Sequence, residues 1–176
     1  MNLYIFIAHD DEKNLAKAYN KCMDLLSDDD WAVFLDRDVL LVQQDWYDII
    51  KSSIKNNPDY GFFVSMMNRV GNRVHIPADI DPNNHDIKYH VEVGKKLSQT
   101  NNGVQRWTYS GLLSGVVMIV KKSVWKKIGE ANENRRMLAV DNDLHRGCNR
   151  EGIKVGLITG LYVYHWYRAD GTNVAI

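Results

Sequence analysis

Trp31-Ala32-Val33-Phe34-Leu35, five apolar residues of β-branched and aromatic character, run straight into Asp36-Arg37-Asp38. Bounded upstream by Ser27-Asp28-Asp29-Asp30, the run is too short for a helix and reads as a buried central strand. Two carboxylates one residue apart repel each other unless a cation or hydrogen-bond donors hold them. They also stand at the carboxyl end of the strand, which is where open α/β sheets place ligands. Taken alone, such a pair more often starts a turn or caps a helix, so the remainder of the chain has to decide between the two readings.

Working outward, Leu3 to Ala8 reads as a first strand. A helix follows, capped by Asp10 or Asp11, with Leu15, Ala18, Cys22, Leu25 and Leu26 on one face and Asn14, Lys17 and Asn20 on the other. Beyond the acidic pair, Gln43 to Lys55 repeats the helical spacing, and Gly61 to Met66 is the next strand. Asn68 to Asn84 has the glycines, prolines and Asx residues of a long loop, of the size that often serves as a lid. Asp86 to Ser98 reads as a helix weakened by Gly94. A second polar loop, with Trp107 and Tyr109, leads to a strand over Val116 to Val120. A short helix over Ser123 to Ile128 is stopped by Gly129, and Asp141 is placed to cap a helix ending before Gly152. Val155 to Ile158 and Leu161 to Trp166 close the chain as strands. Strands alternating with helices predict an α/β fold, one domain over residues 1–176 with a central, mostly parallel mixed sheet flanked by helices.

Composition narrows the function classes. The 22 basic and 22 acidic side chains cancel, which removes the electrostatic footprint of a nucleic-acid binder. The longest nearly apolar stretch, Gly111 to Val120, is half of what a bilayer span needs, and the amino terminus lacks a basic segment and a long apolar core. A cytoplasmic protein with no transmembrane segment is expected. Cys22 and Cys148 have no metal-ligand spacing and are expected as core fillers.

The remaining candidates are Asp141-Asn142-Asp143, near the start of a helix, and His165, at the end of the last strand. Oxygen from Asp38 with an imidazole from His165 suits Mn²⁺ or a similar divalent ion, and such an ion neutralises a diphosphate. A carboxylate at a helix N-terminus stays ionised in the field of the helix dipole, as a general base must. Singly, Asp141 is more often just a helix cap and His165 more often a satisfied core or edge histidine. Trp166 and Tyr167 read as packing, although an exposed aromatic there suits a sugar or a base.

The order of these pieces carries more than any one of them. Asp-x-Asp after a strand is followed by Leu113-Ser114-Gly115-Val116-Val117-Met118-Ile119-Val120 and the segment through Gly129. Asp141-Asn142-Asp143-Leu144 comes next, then a late Tyr-x-His, and the series resembles family 2 glycosyltransferases of the GT-A fold over most of the chain. Asn14-Leu15-Ala16-Lys17-Ala18-Tyr19-Asn20 is similar to that family's N-L-G-x-A-x-N segment. The resemblance implies a metal-dependent, inverting transfer of a sugar from a nucleotide-diphosphate sugar to a hydroxyl of a carbohydrate or other acceptor. It implies Asp38 and His165 as ligands of Mn²⁺ (or Mg²⁺), Asp36, Asn14, Asn20, Ser114 and Gly115 as nucleotide-sugar contacts, and Asp141 as the catalytic base. Two departures are visible: only one strand and one helix precede Asp36, and Val140 stands where the family has an acid. Two other readings are weighed beside it. One is a non-catalytic module that binds a nucleotide sugar or glycan. The other is a haloacid-dehalogenase-like phosphatase with Asp36 as nucleophile, which Leu40 and the lack of a later lysine motif disfavour.

Overall fold

Ala32 and Phe34 pack on one side of the strand Trp31–Leu35 and Trp31, Val33 and Leu35 on the other, with all five buried, as a central strand requires. The computed structural model describes residues 1–101, 103–108, 113–136 and 139–166. In chain order the elements are β1 (Leu3–Phe6), α1 (Leu15–Asp24), β2 (Trp31–Leu35), β3 (Val39–Leu41), α2 (Trp46–Asn56), β4 (Tyr60–Met67), α3 (Ile87–Thr100), β5 (Val104–Arg106), β6 (Val117–Lys121), α4 (Lys122–Ile128), α5 (Val140–Arg150) and β7 (Lys154–His165). Tyr109, Gly111 and Tyr167 lie outside the described residues.

One open sheet takes the order β1-β2-β6-β4-β7-β3, with β5 also on β7. The expected α/β class holds, but the sheet is not mostly parallel. Only β1 with β2 and β4 with β7 run parallel; β2 with β6, β4 with β6, β3 with β7 and β5 with β7 are antiparallel. Parallel neighbours need long crossovers, and α1 supplies one between β1 and β2. The three-residue strands β3 and β5 have no such crossover and are too short to show a period in sequence.

Helices cover both faces. Tyr19 and Met23 of α1, Trp125 and Ile128 of α4, and Leu144 and Cys148 of α5 pack with Phe34, Phe62 and Val120. Ile50 and Ile54 of α2 pack with Val33, Phe63 and Ile119 on the opposite face. Each such side chain removed from water contributes about 1.5–3 kcal/mol. The buried face of α1 is Ala16, Tyr19 and Met23, and Leu25, expected inside, is exposed because the helix ends at Asp24. Its cap is Asn14, which accepts from Lys17 N, and not Asp10 or Asp11. Gly129, at φ 96°, ends α4 as expected. No described helix is long and apolar enough to cross a membrane.

The two closing strands of the sequence reading are one strand with a break. β7 pairs Ile158 with Ser65 and then Tyr162 with Met66, so Thr159, Gly160 and Leu161 have no counterpart in β4. Before the break the other neighbour is β5, and after it β3. Buried Gln43 holds the break: its Nε2 donates to the carbonyls of Gly160 (2.9 Å) and Gly94 (2.8 Å), and its Oε1 accepts from Tyr162 N (2.6 Å). A Cβ at Gly94 would stand 2.6 Å from Gln43 Cγ, which explains a glycine inside α3. Gln43→Ala should cost about 2–4 kcal/mol in urea unfolding, because three hydrogen bonds go and a buried N–H is left unpaired; a loss under about 0.5 kcal/mol would refute this role for Gln43.

Candidate functional site

The acidic pair occupies the turn between β2 and β3. Asp36 N donates to Val116 O (3.0 Å) and Val39 N to Asp36 O (3.2 Å), closing the turn on the start of β6. On the other flank Trp166 N donates to Asp38 O (2.9 Å), and β3 pairs with β7 in a register that sets Val39 opposite His165. The first and last motifs of the sequence therefore meet by strand pairing. Asp36, Asp38 and His165 each offer one ligand atom, and these atoms all lie within 4.8 Å of one another.

His165 is buried and oriented from behind. Its N–H donates to Asn68 Oδ1 (2.7 Å) and its carbonyl accepts from Asn68 Nδ2 (3.3 Å), while Nδ1 donates to Arg69 O (2.8 Å). A carbonyl acceptor fixes the proton on Nδ1, so Nε2 is the atom turned to Asp38 Oδ2, 3.5 Å away. Two carboxylates and one imidazole with a backbone carbonyl as its outer partner form a mixed oxygen and nitrogen donor set that could hold a divalent ion such as Mn²⁺. His165 holds the Asp38 carboxyl below the usual carboxylate range. Burial pushes Asp36 up to about 6, with His165 opposing and Asp38 and Asp141 adding to the rise. The unequal division expected for the pair, Asp38 on the ion and Asp36 on the nucleotide sugar, is not visible in the geometry, since Asp36 stands in the same group.

Asp141 lies in the first turn of α5 and does not cap it. Ala139 occupies the cap position at φ 62°, a left-handed backbone that costs a non-glycine residue on the order of 1 kcal/mol. The Asp141 carboxylate accepts from Asn142 N (2.8 Å) and Gly115 N (3.0 Å). A Cβ on Gly115 would meet Asp141 Cβ at 3.0 Å, so a larger residue there would push on the Asp141 side chain by a few tenths of an ångström. Asp36, Gly115 and Asp141 share a cavity of about 150 Å³ with Leu15, Tyr19 and Val140. Tyr19, missed in the sequence, packs 4.6 Å from Phe34 between ring centroids, and burial, then the charges of Asp36 and Asp141, raises its phenol so that it stays neutral. A larger groove of about 620 Å³ lies where β2 begins, at Trp31, Tyr60 and Lys121, and contains none of the expected residues.

Asn14 and Asn20 do not line the cavity. Asn14 caps α1 and donates to Glu133 O (3.0 Å). Asn20 donates to Ala131 O and Glu133 Oε1 and accepts from Ala131 N and Trp125 Nε1. Both clasp the segment after α4 to α1, apart from the lining of that cavity. Ser114 donates its N–H to His75 Nε2 (3.3 Å), whose Nδ1 in turn donates to Ser65 O (2.8 Å). His75 is thus a buried strut under the segment beside Asp141, and nothing in its loop sequence marked it; Asn68, at the first position of the same stretch, was equally silent.

No protein-family model matches this chain, and no curated protein matches it in sequence.

Burial depresses the imidazole of His75, with the Ser65 bond opposing, and burial does the same to His145. A histidine with a lowered folded-state pKa gives stability that is complete above its unfolded value, about 6.5, and lost as pH falls. His75→Gln, which keeps an acceptor for Ser114 and a donor for Ser65, should lose less melting temperature than the wild type between pH 7.5 and 5.5. Equal losses would refute the neutral strut.

Proposed function

We propose that the chain is a metal-dependent glycosyltransferase of the GT-A type, moving a sugar with inversion from a nucleotide-diphosphate sugar to an acceptor hydroxyl. The observation that carries this reading is the convergence of Asp36, Asp38 and His165 beside the cavity that Asp36 shares with Asp141. The order of motifs in the sequence supports it as well. A divalent ion, Mn²⁺ or Mg²⁺, held by those three side chains would supply positive charge against the leaving diphosphate. Asp141 accepts the proton of the acceptor hydroxyl. The hydroxyl oxygen forms the bond to the anomeric carbon as the bond to the diphosphate oxygen breaks and its electron pair leaves with the diphosphate. Gly115 N and Asn142 N fix the Asp141 carboxylate, and each oxygen keeps a lone pair for that proton. Ser114 and Gly115 contact the donor sugar. A cytoplasmic location belongs to the same reading.

Binding of a nucleotide sugar without turnover is the second reading.

A panel of UDP-, GDP- and CMP-sugars tests the proposal by thermal shift, since a ligand bound only by the folded state raises its melting temperature. At least one donor should raise it in an Mn²⁺-dependent way, and the Mn²⁺-dependent part should shrink in His165→Ala. No Mn²⁺-dependent shift with any donor, or an undiminished one in that variant, would overturn the metal assignment. With the donor so identified, Asp141→Asn should lose about 10²–10⁴ in transfer rate while the donor-induced shift persists. Near wild-type transfer would remove Asp141 as base, and a donor shift with no turnover in the wild type would favour the second reading.

A further inference from the structure

Trp166 is the conspicuous residue that the chemistry above leaves unused. Its indole is 47 % exposed, whereas Trp31, Trp107 and Trp125 are buried and Trp46 half-buried. Exposure here does not come with looseness. The Trp166 N–H is tied to Asp38 O, and the indole stands edge-on to buried Tyr164 (6.1 Å between centroids, 70°) and tilted on His85 (5.3 Å). His85 Nδ1 lies 3.0 Å from the Tyr164 hydroxyl. Behind Tyr164, 4.5 Å away, is the ring of His90, fixed by the Tyr162 hydroxyl (2.8 Å) and Asn84 O (2.7 Å). The end of β7 and the loop before α3 thus hold an open aromatic surface one residue from His165.

We propose that Trp166 and His85 form the acceptor subsite, stacking on a pyranose ring, so that the acceptor is a carbohydrate. This rests on the transferase reading. A rigid indole gives contact area at little entropic cost, and the apolar C–H face of a pyranose is what it stacks on. His85 Nε2 remains for a sugar hydroxyl. The platform is on the Asp38 flank of the acidic turn, and Asp36 of the same turn lines the cavity with Gly115 and Asp141. A nucleobase also stacks, but its recognition requires groups that read its polar edge. Asn68 is spent on the His165 backbone and both Asn84 oxygens on His90 and Asp86 N, and the nucleotide titration below separates the two kinds of ligand.

The test follows tryptophan emission of the full chain titrated with methyl hexopyranosides, with maltotriose, cellotriose and chitotriose, and separately with UMP, GMP and CMP. At least one saccharide should give a saturable change. Affinity for that saccharide, measured by calorimetry, should fall about tenfold or more in Trp166→Ala and recover in part in Trp166→Phe. His85→Ala should weaken it less. No response to any saccharide, affinity unchanged in Trp166→Ala, or a nucleotide response that disappears in that variant would each overturn the proposal. Donor hydrolysis by the wild-type chain with Mn²⁺ and no saccharide reads the transferase chemistry separately. Its absence alongside intact saccharide binding would sink the acceptor role and leave a glycan-binding platform.

Discussion

The break in β7 is the constraint on which the rest of the molecule depends, and one amide side chain holds it. Without the three extra residues against β4, Tyr162 onward would continue in register and the strand end would fall elsewhere along the sheet. Gln43 takes one carbonyl and one N–H of β7, groups that the interrupted ladder would otherwise leave unpaired in the interior, and ties them to the Gly94 carbonyl of α3. The second half of β7 then meets β3, and β3 begins one residue after Asp38. A hydrogen-bonding problem in the backbone and the meeting of Asp38 with His165 therefore have the same solution.

That meeting is electrostatically one-sided. Asp36 and Asp38 respond to their surroundings in opposite directions, the first raised by burial and the second lowered by the imidazole. A lone surface ion pair would contribute little to stability. Asn68 bonds both backbone groups of His165, and the Arg69 carbonyl fixes its tautomer, which leaves Nε2 facing Asp38. Asp141 is supported similarly, with two backbone N–H groups on its carboxylate and a left-handed Ala139 before it.

Much of this was legible in the sequence where a signal is local. Trp31–Leu35 appears as a strand at its exact bounds, and Gly129 ends its helix, because burial on both faces and a left-handed stop are written in adjacent residues. The Asp36, Asp38 and His165 group was legible through the order of motifs, although only the structure adds Asp36 to it. What failed was non-local. The strands β3 and β5 exist because β7 offers them a partner, not because three residues favour extension. Asn14 and Asn20 read as polar flank residues, and only the return of the chain at 129–136 gives them a use. His75 acts across 39 residues of sequence, a separation that no periodicity reports.

The placement of β7 also orders events in time. It pairs with β3, β4 and β5 and packs under α3, yet it leaves a ribosome after all of them. Until it arrives, one side of β4 lacks its neighbour and the acidic turn lacks His165. The nascent chain therefore carries an unfinished sheet until β7 is made, with long-range pairings of the kind that slow folding waiting on that one strand. A chain that lacks β7 is deprived of its sheet neighbour and its imidazole together.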